Sequence, residues 1–119
     1  PQSTRAAVDT FVGAHPTGWL VLGDMLELGE GGPALHAEVG AWIAARAPEA
    51  RLVGVGPLSG HLVEGARAAG AAHVWHVPDV DAAVRTLRAA RPAGAPMLLK
   101  ASRGVALERV WARLSQEGA

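Results

Sequence analysis

Apolar residues along this chain follow two rhythms. Short runs at 19–22, 51–55, 72–77 and 97–99 are separated by stretches in which apolar positions recur every three or four residues. The short runs read as strands buried on both faces of a sheet. The longer rhythm reads as helices with one apolar stripe. The first predicted helix has Ser3 as its N-cap, Val8, Phe11 and Val12 on one face, and an end near His15-Pro16. A strand follows at 19–22, then a helix opened by Gly32-Pro33, carried by Leu35, Val39, Trp42 and Ile43, and closed by Pro48. After a strand at 51–55 comes a helix capped by Ser59, with Leu62, Ala66 and Ala69 inward and Gly70 as its stop. A third strand spans 72–77, and Pro78-Asp79 starts a helix with Val80, Val84 and Leu87 inward. The loop 92–96 leads to a fourth strand, 97–100. Ser102 then caps a last helix carried by Leu107, Val110, Trp111 and Leu114.

Strands that alternate with helices require right-handed crossovers and a parallel sheet covered on both faces. The expectation is therefore an α/β, Rossmann-like three-layer domain with a mostly parallel sheet in the order 3-2-1-4. In that order the first and fourth strands are neighbours. The turns after them, Gly23-Asp24-Met25 and Lys100-Ala101-Ser102-Arg103-Gly104, then share the rim where open α/β sheets bind ligands.

At 119 residues the chain is one domain, and 50% hydrophobic residues exclude disorder. The 11 basic and 11 acidic residues cancel, which argues against nucleic acid and against an anionic membrane surface. No apolar run reaches the ~18 residues of a membrane span. No signal-peptide pattern is visible, so a cytoplasmic protein is expected. The absence of Cys removes disulfides and zinc–thiolate sites. The chain starts at Pro1, not Met, which suggests a fragment of something longer.

Candidate chemistry concentrates at the shared rim. Lys100, Ser102 and Arg103 put an ammonium, a hydroxyl and a guanidinium at a helix N-terminus, an anion site by dipole and by free N–H groups. The alternative is an ordinary N-cap with two solvated cations. Asp24 could hold an ammonium or a ribose hydroxyl, pair with Lys100 or Arg103, or simply bond its own turn. Glu27 and Glu30 follow it in an acidic loop. Gly54-Val55-Gly56-Pro57-Leu58-Ser59-Gly60 has part of a dinucleotide fingerprint. Ser59 replaces its third glycine, Pro57 restricts the turn, and the loop follows the second strand, so an ordinary strand–helix turn is favoured. Asp79 reads as a helix cap.

The histidines assemble no metal site. His73 and His76 lie at odd separation on one strand and face opposite ways, and His36 is one residue off a buried stripe. Trp19, Trp42 and Trp111 fit core stripes. There is no phosphate-loop lysine and no nucleophile elbow. The residues suit binding and positioning, with no self-contained catalytic centre.

Three stretches together carry a likeness to a known family. They are Val21-Leu22-Gly23-Asp24-Met25-Leu26-Glu27-Leu28-Gly29, then His36 and Val39-Gly40, then Leu98-Leu99-Lys100-Ala101-Ser102-Arg103 with Glu108-Arg109-Val110. This pattern resembles the C-terminal domain of the Mur ligases over essentially the whole chain, 1–119. Pro1-Gln2-Ser3 with Arg5-Ala6-Ala7 is similar to the segment just after the family's Asn-Pro hinge motif. The chain departs from the family at Ala101, where Gly is commoner, and the extra methyl bears on that turn.

The resemblance implies a fragment of a three-domain, ATP-dependent amide ligase of bacterial peptidoglycan biosynthesis. In such enzymes the central domain carries the phosphate loop and the magnesium ligands. The N-terminal domain holds the uridine nucleotide, and the C-terminal domain closes on the ATP site. The branch most similar to this chain joins D-alanyl-D-alanine to UDP-N-acetylmuramoyl-tripeptide through an acyl phosphate. ATP and magnesium would then be bound mainly outside this chain, which alone is expected to hold no cofactor and to be inactive. Its partners would be the other two domains and these substrates.

Carried over residue by residue, Ser102 and Arg103 would receive the dipeptide carboxylate, and Lys100 would face the nucleotide phosphates. Asp24 would orient the dipeptide amine or contact the nucleotide. Glu27, Leu28 and His36 would shape the loop. No catalytic or metal-binding residue is assigned to this chain. Two alternatives stay open: a sister ligase of the folylpolyglutamate type, and a non-catalytic Rossmann-like binding module.

Overall fold

The computed structural model describes residues 2–25, 31–101 and 107–117. Four parallel strands, β1 (Trp19–Gly23), β2 (Arg51–Val55), β3 (His73–Val77) and β4 (Met97–Lys100), form one sheet in the order β3-β2-β1-β4. Between and around them run α1 (Gln2–Ala14), α2 (Gly32–Arg46), α3 (Ser59–Ala68), α4 (Val80–Ala90) and α5 (Glu108–Glu117). This is the order expected from the sequence.

Side-chain alternation along each strand sorts the core into two halves. Leu20, Leu22 and Leu52 pack with Val8 and Val12 of α1, Val39 and Ile43 of α2, and Leu62 and Ala66 of α3. On the opposite face, Trp19, Val21, Val53 and Val55 pack with Ala83, Val84 and Leu87 of α4 and Val110 of α5. Trp19 stacks on Trp75 there, with ring centroids 5.1 Å apart. β1 is central and buried along its length. Each fully buried Leu or Val of this kind contributes roughly 1.5–3 kcal/mol of apolar burial. β3 and β4 form the sheet edges and are only partly covered.

The chain moves one way across the sheet through α2 and α3, then returns over the other face through α4. That reversal opens the crevice between β1 and β4. Helices α2 and α3 approach through paired glycines. A Cβ on Gly40 would sit 1.9 Å from the Leu62 carbonyl oxygen, and one on Gly65 would sit 2.2 Å from that of Ala37. Only the absence of side chains there lets the two backbones touch.

Several local expectations differ from the structure. Ser3 lies within the first turn of α1, because the helix already runs from Gln2. Ser59 is not the cap of α3; Leu58 holds that position with no side-chain cap, and Ser59 is the first helical residue. Ala69 is the C-cap residue and is exposed, while Val63 takes its place in the buried face. β3 begins at His73, one residue later than expected. Trp111 is 55% exposed, because Val110 of α5, with Leu107 just before the helix, already supplies the contact with the core. Asp79 does cap α4, its Oδ1 accepting from the Ala82 N–H at 2.9 Å.

Candidate functional site

Leu22 of β1 lies opposite Lys100 of β4 in a parallel register. The chain therefore leaves both strands at the same rim, side by side, and Asp24 and Lys100 stand on neighbouring strand ends. Among the described residues these two form no ion pair. The Asp24 carboxylate instead turns toward β2 and α3. It is 3% exposed. Its Oδ2 accepts from the Leu58 N–H at 3.1 Å, and its Oδ1 accepts from the Ser59 N–H and hydroxyl, each at 2.8 Å.

The first N–H groups of a helix lack intrahelical partners and attract negative charge. Asp24 meets that need for α3 from another strand. Among the described residues it does not pair with Lys100, and Arg103, the other cation its position suggests, lies outside them. The same contact disposes of the dinucleotide fingerprint. The helix N-terminus that would cradle a pyrophosphate already holds a carboxylate of the protein.

Gly56 makes room for this arrangement. Its φ is +113°, and a Cβ there would lie 2.7 Å from the Asp24 Cγ and Oδ1. Its N–H donates to the Val77 carbonyl at 2.9 Å, and the ring Nε2 of His76 lies 2.7 Å from its own carbonyl oxygen. The ends of β1, β2 and β3 are thus tied by polar contacts at one rim.

His36 supplies a second tie. It is fully buried. Its Nε2 lies 3.0 Å from the Met25 backbone nitrogen, and its Nδ1 lies 2.6 Å from the Gly32 carbonyl oxygen. A backbone N–H can only donate, so Nε2 accepts and Nδ1–H donates, which defines the neutral tautomer. One ring thereby joins the residue after Asp24 to the first turn of α2. Met25 is itself buried, its sulfur 3.7 Å from the Thr4 hydroxyl of α1. Sequence reading places His36 near a buried stripe but does not reveal either bond, since the Met25 bond joins residues 11 positions apart and the Gly32 bond depends on the ring's tautomer.

A cavity of about 730 Å³ opens at this rim, lined among others by Asp24, Gly56, Asp79, Arg109 and Arg113. Arg113 pairs with Asp81, linking α5 to α4 across its mouth. Arg109 belongs to the Glu108-Arg109-Val110 run that carries the family likeness but is assigned no site role there, and Arg113 reads as a polar position of an amphipathic helix. Ser102, Arg103, Glu27 and Leu28 lie outside the described residues. Among the described residues no group of three or more His, Cys, Asp or Glu side chains could hold a metal ion. No helix among them is long and apolar enough to cross a membrane.

A parallel sheet in the order 3-2-1-4, with helices on both faces and a cavity at the strand C-termini, defines a Rossmann-like three-layer α/β domain. The chain belongs to the family described as Mur ligase, glutamate ligase domain, whose sequence model matches residues 1–103. It is 38% identical, over 92% of its length, to the UDP-N-acetylmuramoyl-tripeptide--D-alanyl-D-alanine ligases of Mycobacterium bovis and Mycobacterium tuberculosis. It spans about a quarter of those relatives, 26% of each. It also superposes on a crystal structure of MurF from Acinetobacter baumannii with a TM-score of 0.80, at 25% identity, covering 98% of this chain and 25% of that one.

Proposed function

We propose that this chain is the C-terminal domain of a bacterial, cytoplasmic, three-domain ligase that joins D-alanyl-D-alanine to UDP-N-acetylmuramoyl-tripeptide. The observation that carries this reading is the 38% identity to ligases of that name across 92% of the chain. In this reading ATP is a substrate that converts the tripeptide carboxylate to an acyl phosphate. The dipeptide amine attacks that carbonyl, the C–N bond forms, and inorganic phosphate leaves with the C–O electron pair. The amine gives up its proton to solvent or a neighbouring base.

The part assigned to this domain is to hold the amine and carbonyl close enough to react, a positioning task. The rim supports it. Lys100 brings a cation to the end of β4, to face nucleotide phosphates when the domain closes. Ser102 and Arg103 follow it in sequence and would receive the dipeptide carboxylate. Asp24 lines the rim cavity and would contact the dipeptide amine or the nucleotide through lone pairs not used by α3. His36 would set the start of the loop that carries Glu27 and Leu28. Magnesium and the phosphate loop would belong to the central domain.

The test is phosphate release by the full-length protein supplied with ATP, magnesium and UDP-N-acetylmuramoyl-tripeptide. Release that depends on D-alanyl-D-alanine supports the reading. Release that depends on glutamate and a folate would replace it with the sister ligase, and no ligation with any amine would favour a binding module.

A further inference from the structure

We infer that Ser59 is a positioning residue for the site, acting through Asp24. The inference rests on the reading above, in which Asp24 touches a substrate at the rim. Ser59 is fully buried, yet it carries a hydroxyl where a helix start facing the core would accept an alanine. That hydroxyl does not cap its own helix. It lies 2.8 Å from Asp24 Oδ1 and 3.5 Å from the Leu22 carbonyl oxygen, and the residue's N–H reaches the same Oδ1 at 2.8 Å.

Two donors from one residue therefore converge on one carboxylate oxygen, while Oδ2 receives, among the described residues, a single N–H, from Leu58. A carboxylate oxygen accepts about two hydrogen bonds. Among the described residues, Oδ1 is saturated and Oδ2 keeps an accepting direction. The hydroxyl thus fixes the rotation of the Asp24 carboxylate and leaves its unused lone pair on Oδ2. Gly54 and Gly56 hold the space this requires. A Cβ on Gly54 would come within 2.9 Å of the Ser59 carbonyl oxygen, and one on Gly56 within 2.7 Å of the carboxylate. The chemistry Oδ2 then offers is that of a hydrogen-bond acceptor, for a substrate ammonium or hydroxyl.

Steady-state kinetics of the full-length ligase test this with Ser59→Ala, the isosteric Ser59→Cys, Asp24→Asn, and the Ser59→Ala/Asp24→Asn double variant. Asp24→Asn identifies the substrate whose KM depends on the carboxylate. The expected result is that Ser59→Ala and Ser59→Cys raise that same KM about tenfold, the size of one hydrogen bond to a charged group, with kcat within twofold of wild type. In the double variant the serine change should add less than twofold, because its effect passes through Asp24. A folded Ser59→Cys enzyme with unchanged KM, beside an Asp24→Asn enzyme with raised KM, would overturn the role of Ser59. Unchanged kinetics in Asp24→Asn would instead remove the reading of Asp24 itself, and this inference with it.

Discussion

Asp24 Oδ1 accepts two hydrogen bonds from Ser59, across 35 residues of chain, so the turn after β1 caps the helix after β2. Removing the carboxylate would leave two helix N–H groups and a buried hydroxyl without their acceptor. Losing a cap costs about 1 kcal/mol, and losing hydrogen bonds to a charged group costs more. Asp24→Ala should therefore lower stability by about 2–3 kcal/mol. Asp24→Asn should lose less, because its amide oxygen can still accept from Ser59. Urea unfolding of the two variants checks this, and an Ala variant as stable as wild type would refute the capping role.

His36 is the acceptor for the Met25 N–H and the donor to the Gly32 carbonyl. Truncation to Ala would leave a void and two unpaired backbone groups in a buried region. The expected loss is roughly 2–4 kcal/mol. Hydrogen exchange gives a sharper readout than stability alone. The Met25 amide should be protected in the wild type and exchange faster in His36→Ala by more than the global destabilisation explains. Equal changes at every amide would mean that the ring only fills space.

Gly56 combines a left-handed backbone with a Cβ position 2.7 Å from the Asp24 carboxylate. Alanine there meets both the conformational strain and the clash, so Gly56→Ala should cost about 2–4 kcal/mol. The clash component should shrink when Asp24 is also shortened. The double variant with Asp24→Ala should then be less unstable than the sum of the two single changes, by unfolding in urea. Strict additivity would show that only the backbone angle matters.

Arg103 lies in the stretch shared with the Mur ligases. If its guanidinium receives the dipeptide carboxylate, Arg103→Ala in the full-length enzyme should raise the D-alanyl-D-alanine KM by roughly ten- to a hundredfold, the equivalent of a charge-assisted bond. The ATP KM should move far less. An unchanged dipeptide KM would retire the assignment.

What the sequence made legible followed from rules that act along the chain. The apolar runs mark the strands to within a residue, and β1 and β2 most clearly, because an interior parallel strand is buried on both faces. The order 3-2-1-4 is the least strained of those that right-handed crossovers allow. Misreadings arose where a partner lies far away in sequence. Ser59 looks like a local cap because capping rules search the next three residues, whereas its helix is capped from Asp24. Trp111 looks like part of a core stripe, but it sits about 100° around the helix from Val110, which fills the contact. His36 and the glycines of α2 and α3 depend on how elements meet, which no single-segment periodicity reports.

The closest backbone approach makes the strongest claim about packing. A Cβ on Gly40 would lie 1.9 Å from the Leu62 carbonyl oxygen, and one on Gly65 would lie 2.2 Å from that of Ala37. Both obstructing atoms are backbone, so no rotamer change relieves the overlap, and α2 and α3 must separate. In an exposed helix Gly→Ala stabilises by about 1 kcal/mol through propensity. Here the sign should reverse, with each single variant losing about 2–3 kcal/mol or more to overpacking. Once one alanine has pushed the helices apart, the second meets less resistance, so the double variant should lose less than the sum. Denaturant midpoints for Gly40→Ala, Gly65→Ala and the pair decide it; a stabilised single variant would mean that the helices do not pack through their glycines.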